Sequence, residues 1–468
     1  MQNGCNMPNA NFHFARRQQL RQDLTTPILL MGNAPFPNNF PANQLPFRQD
    51  SSFWYLTGCT HPNAAWFSWQ DEDILFLPDV DADDALWHGP QSSPQEIAVD
   101  LRFDRSLPIS QLPDFIERHV QQGHFQRKEI QSLSVPNEMV NQQLSQWIEQ
   151  PLSFGRQNGS DRLIDWIIQH RRILSEVEIS AMKKACAVTH RAHLAAMKAT
   201  KTGLYEQDIA AAFHFEIQRV NMSCAYHSIV TVDGHILHNH HYHNKLCEGQ
   251  LLLLDGGAQS HEGYASDVTR TWPVSGKFSQ QQAAAYDAVL KAQEAAIAMV
   301  RPGMRYGDIH RAASLLLAEF LVDEKLLRIS PAEAVEIGAH ALFFPHGIGH
   351  LLGMDVHDME NFGDRVSYPA HRKRSSQFGT GYLRLDLDLE ENMVVTIEPG
   401  FYIVPAILNN SHLRTVFKDA IYWDHLDQWT GFGGIRIEDD IRVATEPENL
   451  TALIPKSITD LENLISQT

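Results

Sequence analysis

Four consecutive leucines at 251–254 end on Asp255, and the chain then runs straight into Gly256 and Gly257. Such a run reads as a buried strand, and a carboxylate at its end is costly to bury unless a cation or a polar partner neutralises it. The pattern recurs. Asp267 follows twelve residues later in GYASDVTRTW, as expected for the second arm of a hairpin. Glu398 closes VVTI before Pro399 and Gly400, and Glu438 lies in FGGIRIEDD. His350, in FPHGIGHLLGMDVHD, adds one imidazole. Four acids and one histidine suit Mn²⁺ or another hard divalent ion better than structural Zn²⁺, which favours Cys and His. Taken singly, each has an ordinary reading. An Asp before Gly-Gly is a turn residue, a Glu before Pro-Gly ends a strand, Glu-Asp-Asp is a solvated edge, and HGIGH holds a satisfied core histidine. Periodicity alone does not bring the five together.

The elements around them indicate an α+β or mixed α/β chain in two domains, since 468 residues exceed the ~250–300 at which one core stops growing. We place the domains at 1–165 and 166–468. The first mixes apolar runs (28–31, 64–69, 74–78) with many Pro, Asn and Gln residues, which suggests strands joined by loops. SFGRQNGS at 153–160 reads as a linker. Leu163, Ile164, Ile167 and Ile168 then begin a helical pattern. Ser175 opens an amphipathic helix to about 199, with Glu176 and Glu178 near its positive end. Further helices are expected at 204–220, at 279–300 with Ser279 and Gln282 as a capping box, and at 308–322. Strand-like segments fall at 227–232, 250–255, 266–272, 393–397 and 434–443. There is no internal repeat; HNHHYH at 238–243 is the one local bias.

A net charge of −18, from 38 basic and 56 acidic side chains, argues against nucleic acid or an anionic membrane as partner. Five scattered cysteines (Cys5, Cys59, Cys186, Cys224, Cys247) outline neither a disulfide frame nor a zinc knuckle and point to a reducing, cytoplasmic setting. No apolar h-region follows Arg16 and Arg17, and no run approaches 18 apolar residues, so neither a signal peptide nor a membrane span is expected.

The segments LLLLDGG, GYASDVTRTW, HGIGHLLGMDVHD, TIEPGFY and GGIRIEDD occur in the order found in the proline-specific pita-bread peptidases, aminopeptidase P and prolidase. The resemblance covers about 163–455. It extends to the first domain, where LPFRQDSSFWYLTG and LFLPDVDADDALWHGP resemble the amino-terminal domain of aminopeptidase P. It implies a carboxyl-terminal pita-bread fold with a smaller α/β amino-terminal domain, and two divalent ions, Mn²⁺ by preference. Asp255, Asp267, His350, Glu398 and Glu438 would be the ligands, with Asp267 and Glu438 bridging, Asp255 on one ion and His350 and Glu398 on the other. The spacing between the two aspartates is one residue longer than in many relatives, which puts the hairpin's turn in doubt. Glu398 would also carry a proton. His357 resembles the histidine that bonds the tetrahedral intermediate, His346 and His238 resemble further active-site histidines, and Arg436 would orient carboxylates. His240, His241 and His243 read as loop surface. Trp87 and His88 match a segment that reaches a neighbouring subunit in relatives, which are dimers or tetramers; in isolation Trp87 reads as a partly buried aromatic.

Two activities on proline peptides compete. The first domain favours an Xaa-Pro aminopeptidase. Arg384, fourteen residues before Glu398, matches the prolidase arginine that holds a dipeptide's carboxylate, and so keeps an Xaa-Pro dipeptidase open; its ordinary reading is a surface cation beside Asp386 and Asp388. A catalytically inactive pita-bread binding module is the alternative from another class. The insertion at 361–381, with HRKR at 371–374, reads as a solvated loop.

Overall fold

The computed structural model describes residues 10–79 and 84–466, so Cys5 and positions 80–83 of the LFLPDVDADDALWHGP motif lie outside it. Two compact units form, Met1–His170 with Asn361–Gly363, and Arg171–Glu360 with Asp364–Thr468. The helix Asp161–Arg171 runs unbroken through position 165, where the sequence suggested the boundary.

In the first unit four strands, β1 Ile28–Met31, β2 Ala65–Trp69, β3 Glu72–Leu77 and β4 Arg105–Pro108, make one sheet in that order. Alternate residues point to opposite faces. Leu29, Met31, Ala65, Phe67, Ile74 and Phe76 therefore share a core with Leu112, Phe115 and Ile116 of the helix Leu112–Gln121. The opposite parity carries Asp73, which accepts from Arg17 Nε and Trp66 Nε1 at 3.0 Å each, a buried charge with its partners in place. The helices Leu112–Gln121 and Glu138–Ile148 correct the expectation of strands and loops here: Leu112, Phe115 and Ile116, and Val140, Leu144 and Ile148, recur at helical spacing and are buried. Residues 153–160 are tied in as well: Ser134 N–H donates to Asn158 O and Ser160 N–H to Ser132 O. Trp87 is 75% exposed, not partly buried.

The second unit mixes helices with antiparallel strand pairs, the α+β arrangement expected. Its long helices are Glu176–Ala199, Glu206–Gln218, Gln280–Met299 and Tyr306–Asp323. Ser279 and Gln282 exchange the two bonds of a capping box at 2.9 and 3.2 Å. Strand β6 Leu251–Asp255 lies between β5 Ile229–Thr231 and β7 Thr269–Pro273, with Asp255 opposite both Ile229 and Thr269. Strand β8 Val394–Ile397 pairs with β11 Asp439–Arg442, while β9 Gly400–Tyr402 pairs with β10 Gly434–Arg436. The run 434–443, read as one strand, thus breaks at Ile437 and Glu438 and changes partner there. That break sets Glu438 at the junction of two strand pairs. The insertion is only partly solvated: Val366, Ser367 and Tyr368 are buried, and Tyr368 O–H donates to Leu383 O at 2.7 Å. Among the described residues no helix is long and apolar enough to cross a membrane.

Candidate metal centre

Backbone bonds draw the acid-bearing segments to one place. Glu438 N–H donates to Thr269 O at 3.0 Å, which ties the strand break to β7. Residues 348–350 lie along β8, with Thr396 N–H donating to His350 O at 3.0 Å and Glu398 N–H to Ile348 O at 2.7 Å. Asp255 ends β6 beside them. Consequently Asp255, Asp267, His350, Glu398 and Glu438 line one cavity of about 270 Å³. His238, His346, His357, Arg384 and Arg436 line it too, whereas Trp87 and His88 do not. His240 joins them, exposed at the same cavity, whereas His241 and His243 are exposed with their rings 5.3 Å apart.

Ligand atoms of Asp267, His350 and Glu438 all lie within 4.8 Å of one another, and all three residues are buried. His350 Nδ1 lies 3.0 Å from Leu351 O; donating there turns Nε2 to the acids, 3.3 Å from Asp267 Oδ2 and 4.0 Å from Glu398 Oε1. Burial, together with the neighbouring carboxylates, pushes Glu438 well above the usual carboxylate range and Glu398 up to about 7. Burial also raises Asp255, against the pull of Arg436. Asp267 lies low: burial opposes ionisation, but the bond and charge of His350 outweigh it. His350 rises to about 9 because Asp267 and Glu398 overcome its burial. Converging buried acids that repel one another, with a correctly presented imidazole nitrogen, form a donor set that divalent cations fit.

Residues the sequence reading passed over complete the site. Tyr226 shares its hydroxyl between Asp255 Oδ1, at 2.6 Å, and Asp267 Oδ1. Thr269 Oγ1 donates to Glu438 Oε2 at 2.8 Å. Arg436 is buried and donates to Asp255 Oδ2, Thr269 Oγ1 and Tyr402 Oη at 2.5, 3.0 and 3.2 Å, so it is no strand-edge cation. Tyr402 in turn bonds His346 Nε2 at 2.8 Å, while His346 Nδ1 faces Gly347 O. Burial and the charge of Arg436 lower His346 to about 3, so it is a neutral imidazole. Tyr226 precedes β5 and Tyr402 ends β9, and no spacing rule marks such positions. Arg384 is not paired with Asp386 or Asp388, which bond Arg305 and Arg372; its Nη1 donates to Glu360 Oε1 and Oε2 at 2.6 and 2.8 Å. Glu360 Oε2 also lies 3.1 Å from His357 Nδ1.

Fold and site together define a metallopeptidase: the chain belongs to metallopeptidase family M24, matched over residues 180–445, with an aminopeptidase P, N-terminal domain matched over residues 13–126. It is 31% identical to a probable Xaa-Pro aminopeptidase pepP of Botryotinia fuckeliana, over 90% of this chain and 88% of that one. It is 33% identical to a probable Xaa-Pro aminopeptidase of Verticillium alfalfae, over 87% and 86%. Among solved structures, Pseudomonas aeruginosa aminopeptidase PepP superposes with a TM-score of 0.78 at 28% identity, covering 98% of each chain. A zinc-substituted E. coli aminopeptidase P in complex with product gives 0.78 at 26% identity, also over 98% of each.

Proposed function

We propose that the chain is a metal-dependent Xaa-Pro aminopeptidase, removing the first residue from peptides with proline second. The observation that carries this reading is the convergence of five strand-end and loop ligands, scattered from 255 to 438, on one cavity wall. The names of its relatives supply the proline specificity. Two divalent ions, with Mn²⁺ the preferred metal for so many carboxylates, would acidify water and polarise the scissile carbonyl. Asp255, Asp267, His350, Glu398 and Glu438 would hold them. Glu398, whose own range is lifted to about 7, is suited to carry a proton to the leaving nitrogen. His357 would donate to the developing oxyanion, with neutral His346 and His238 lining the substrate path. Arg436 holds Asp255 in place.

A bond to proline is a tertiary amide without the N–H that many peptidases use for alignment. A cavity built from acids and imidazoles has no need of that group. We further place the protein in the cytoplasm, on the free thiols of Cys59 and Cys186, and expect a homo-oligomer. A dipeptidase remains the second reading because Arg384 lines the cavity. An inactive binding module is disfavoured, since all five positions carry competent side chains.

The test compares chelated and Mn²⁺-reloaded protein on Ala-Pro and Ala-Pro-Ala. Metal-dependent release of alanine from the tripeptide, at least as fast as from the dipeptide, is expected. Hydrolysis indifferent to chelator, or none after reloading, removes the metallopeptidase; cleavage of the dipeptide alone makes it a dipeptidase.

A further inference from the structure

Arg384 presents an unusual combination. Its guanidinium lines the cavity among His238, His346 and His357, and its side chain is 37% exposed. Only Nη1 is engaged, and both of its bonds go to Glu360. Among the described residues, Nε and Nη2 have no partner. The donor geometry for an incoming carboxylate is therefore intact, while the charge that would attract it is already compensated by Glu360. Asp386 and Asp388, the acids nearest Arg384 in sequence, are spent on Arg305 and Arg372. Glu360 is thus the acid that decides how positive Arg384 looks to a ligand. Its second bond is to Nδ1 of His357, which lines the same cavity, so Nε2 is the nitrogen of that ring left for other partners.

We infer that Glu360 is a specificity-determining residue: by masking the charge of Arg384 it stops the enzyme from favouring substrates that end in a free carboxylate directly after proline, and by the same carboxylate it positions His357. The inference rests on the aminopeptidase reading, in which the peptide continues past proline and no carboxylate sits there. A dipeptide would have to share Arg384 with Glu360. A longer peptide brings an uncharged amide and loses nothing. Specificity of this kind comes from a built-in competitor for the wrong ligand as much as from contacts with the right one.

Ala-Pro and Ala-Pro-amide isolate the effect, because they differ only in that terminal charge. With the Mn²⁺-loaded wild type, kcat/KM for the acid should not exceed that for the amide. Glu360→Gln keeps the size and an acceptor oxygen but removes the charge. It should raise the acid-to-amide ratio on the order of tenfold, a modest figure because both partners are about a third exposed and screened by water. The absolute kcat on both substrates should drop together as His357 loses its anchor. Adding Arg384→Ala to Glu360→Gln should abolish the gain in ratio. A role for Glu360 in folding alone lowers both substrates by one factor and leaves the ratio unmoved, which overturns the inference. A gain that survives the double substitution overturns it too. Should Glu360→Gln fail to fold, the wild type still decides: a tenfold preference for the acid means that Arg384 is not masked. Failure of the aminopeptidase reading shows elsewhere, in a wild type that cleaves Ala-Pro but not Ala-Pro-Ala; an unmoved ratio in a wild type that does cleave the tripeptide sinks only the role of Glu360.

Discussion

Arg436 Nη2 donates to Asp255 Oδ2 at 2.5 Å, both side chains nearly out of solvent, and the same guanidinium reaches Thr269 and Tyr402. One planar cation thereby fixes an acid of β6, a hydroxyl of β7 and, through Tyr402, the ring of His346. Arg436→Ala leaves Asp255 buried beside Asp267 without its counter-charge, a loss of about 3–5 kcal/mol. Arg436→Lys should recover little, since one ammonium cannot meet three partners in that plane. Melting curves in chelator and metal content by mass spectrometry check this. A fully loaded Arg436→Ala protein that melts like wild type contradicts it.

Gly257 lies where the two aspartate arms touch. A Cβ at this position would overlap the carbonyl oxygen of Ser266, the residue before Asp267. Backbone cannot yield as a side-chain tip can, so Gly257→Ala must push Asp255 and Asp267 apart. We expect at least a tenfold weaker metal affinity, with secondary structure kept, because positioning within about 0.5 Å governs such sites. Titration with Mn²⁺ followed by far-UV circular dichroism separates the two effects. Unaltered affinity would show that the arms can spread without harm.

The strand ends were legible because each apolar run stops at a charge: β6 and β8 form at 251–255 and 394–397, within a residue of the expected 250–255 and 393–397. Helix starts were legible for a similar local reason, as with Ser279 and Gln282. What stayed hidden depends on pairing. The break at Glu438 arises from the switch of partner between β9 and β8, and nothing in GGIRIEDD signals it. Glu360, just before the insertion that reads as solvated, acquires meaning only through Arg384 and His357, 24 residues ahead of it and three behind. Resemblance rather than periodicity gathered the four acids and the imidazole in sequence, since their separations exceed any local rule.

His340 offers a pH test away from the metal ligands. Its ring is buried, its Nδ1 lies 3.3 Å from Ala334 O, and burial lowers it from the usual 6.5 to about 4. The folded chain thus keeps this imidazole neutral at pH values where the unfolded chain binds a proton. Its contribution to stability is present above pH 6.5 and is lost as pH falls from 6.5 toward 4. The loss is about 3 kcal/mol at most, by the linkage of proton binding to folding. In denaturant titrations across that range, wild type should lose stability relative to His340→Gln as the medium becomes more acid. A difference that does not change with pH rules out a buried neutral histidine.

Glu398→Ala removes the carboxylate proposed both to hold metal and to move a proton. Turnover of Ala-Pro-Ala should fall by about 10²–10⁴-fold, with metal occupancy reduced as well. Glu398→Gln, which retains one ligand oxygen, should recover part of the occupancy and little of the rate. Wild-type-like rates in either variant would take Glu398 out of the chemistry.

Loading the site should release protons. With Glu398 lifted to about 7, His350 to about 9 and Glu438 well above the carboxylate range, the free donor set holds more than one proton at pH 6.5. Ligands bind divalent ions only after giving these up. Mn²⁺ binding at pH 6.5 should therefore expel more than one proton, and affinity should weaken as pH falls from 7 toward 5. Calorimetry in two buffers of different ionisation enthalpy counts the protons directly. Arg436→Ala should release more than wild type, because Asp255 without its guanidinium is held protonated more firmly before the metal arrives. Binding with no proton release would mean that the acids are already charged, which four carboxylates this close in a buried wall could manage only if they stood farther apart than the fold sets them.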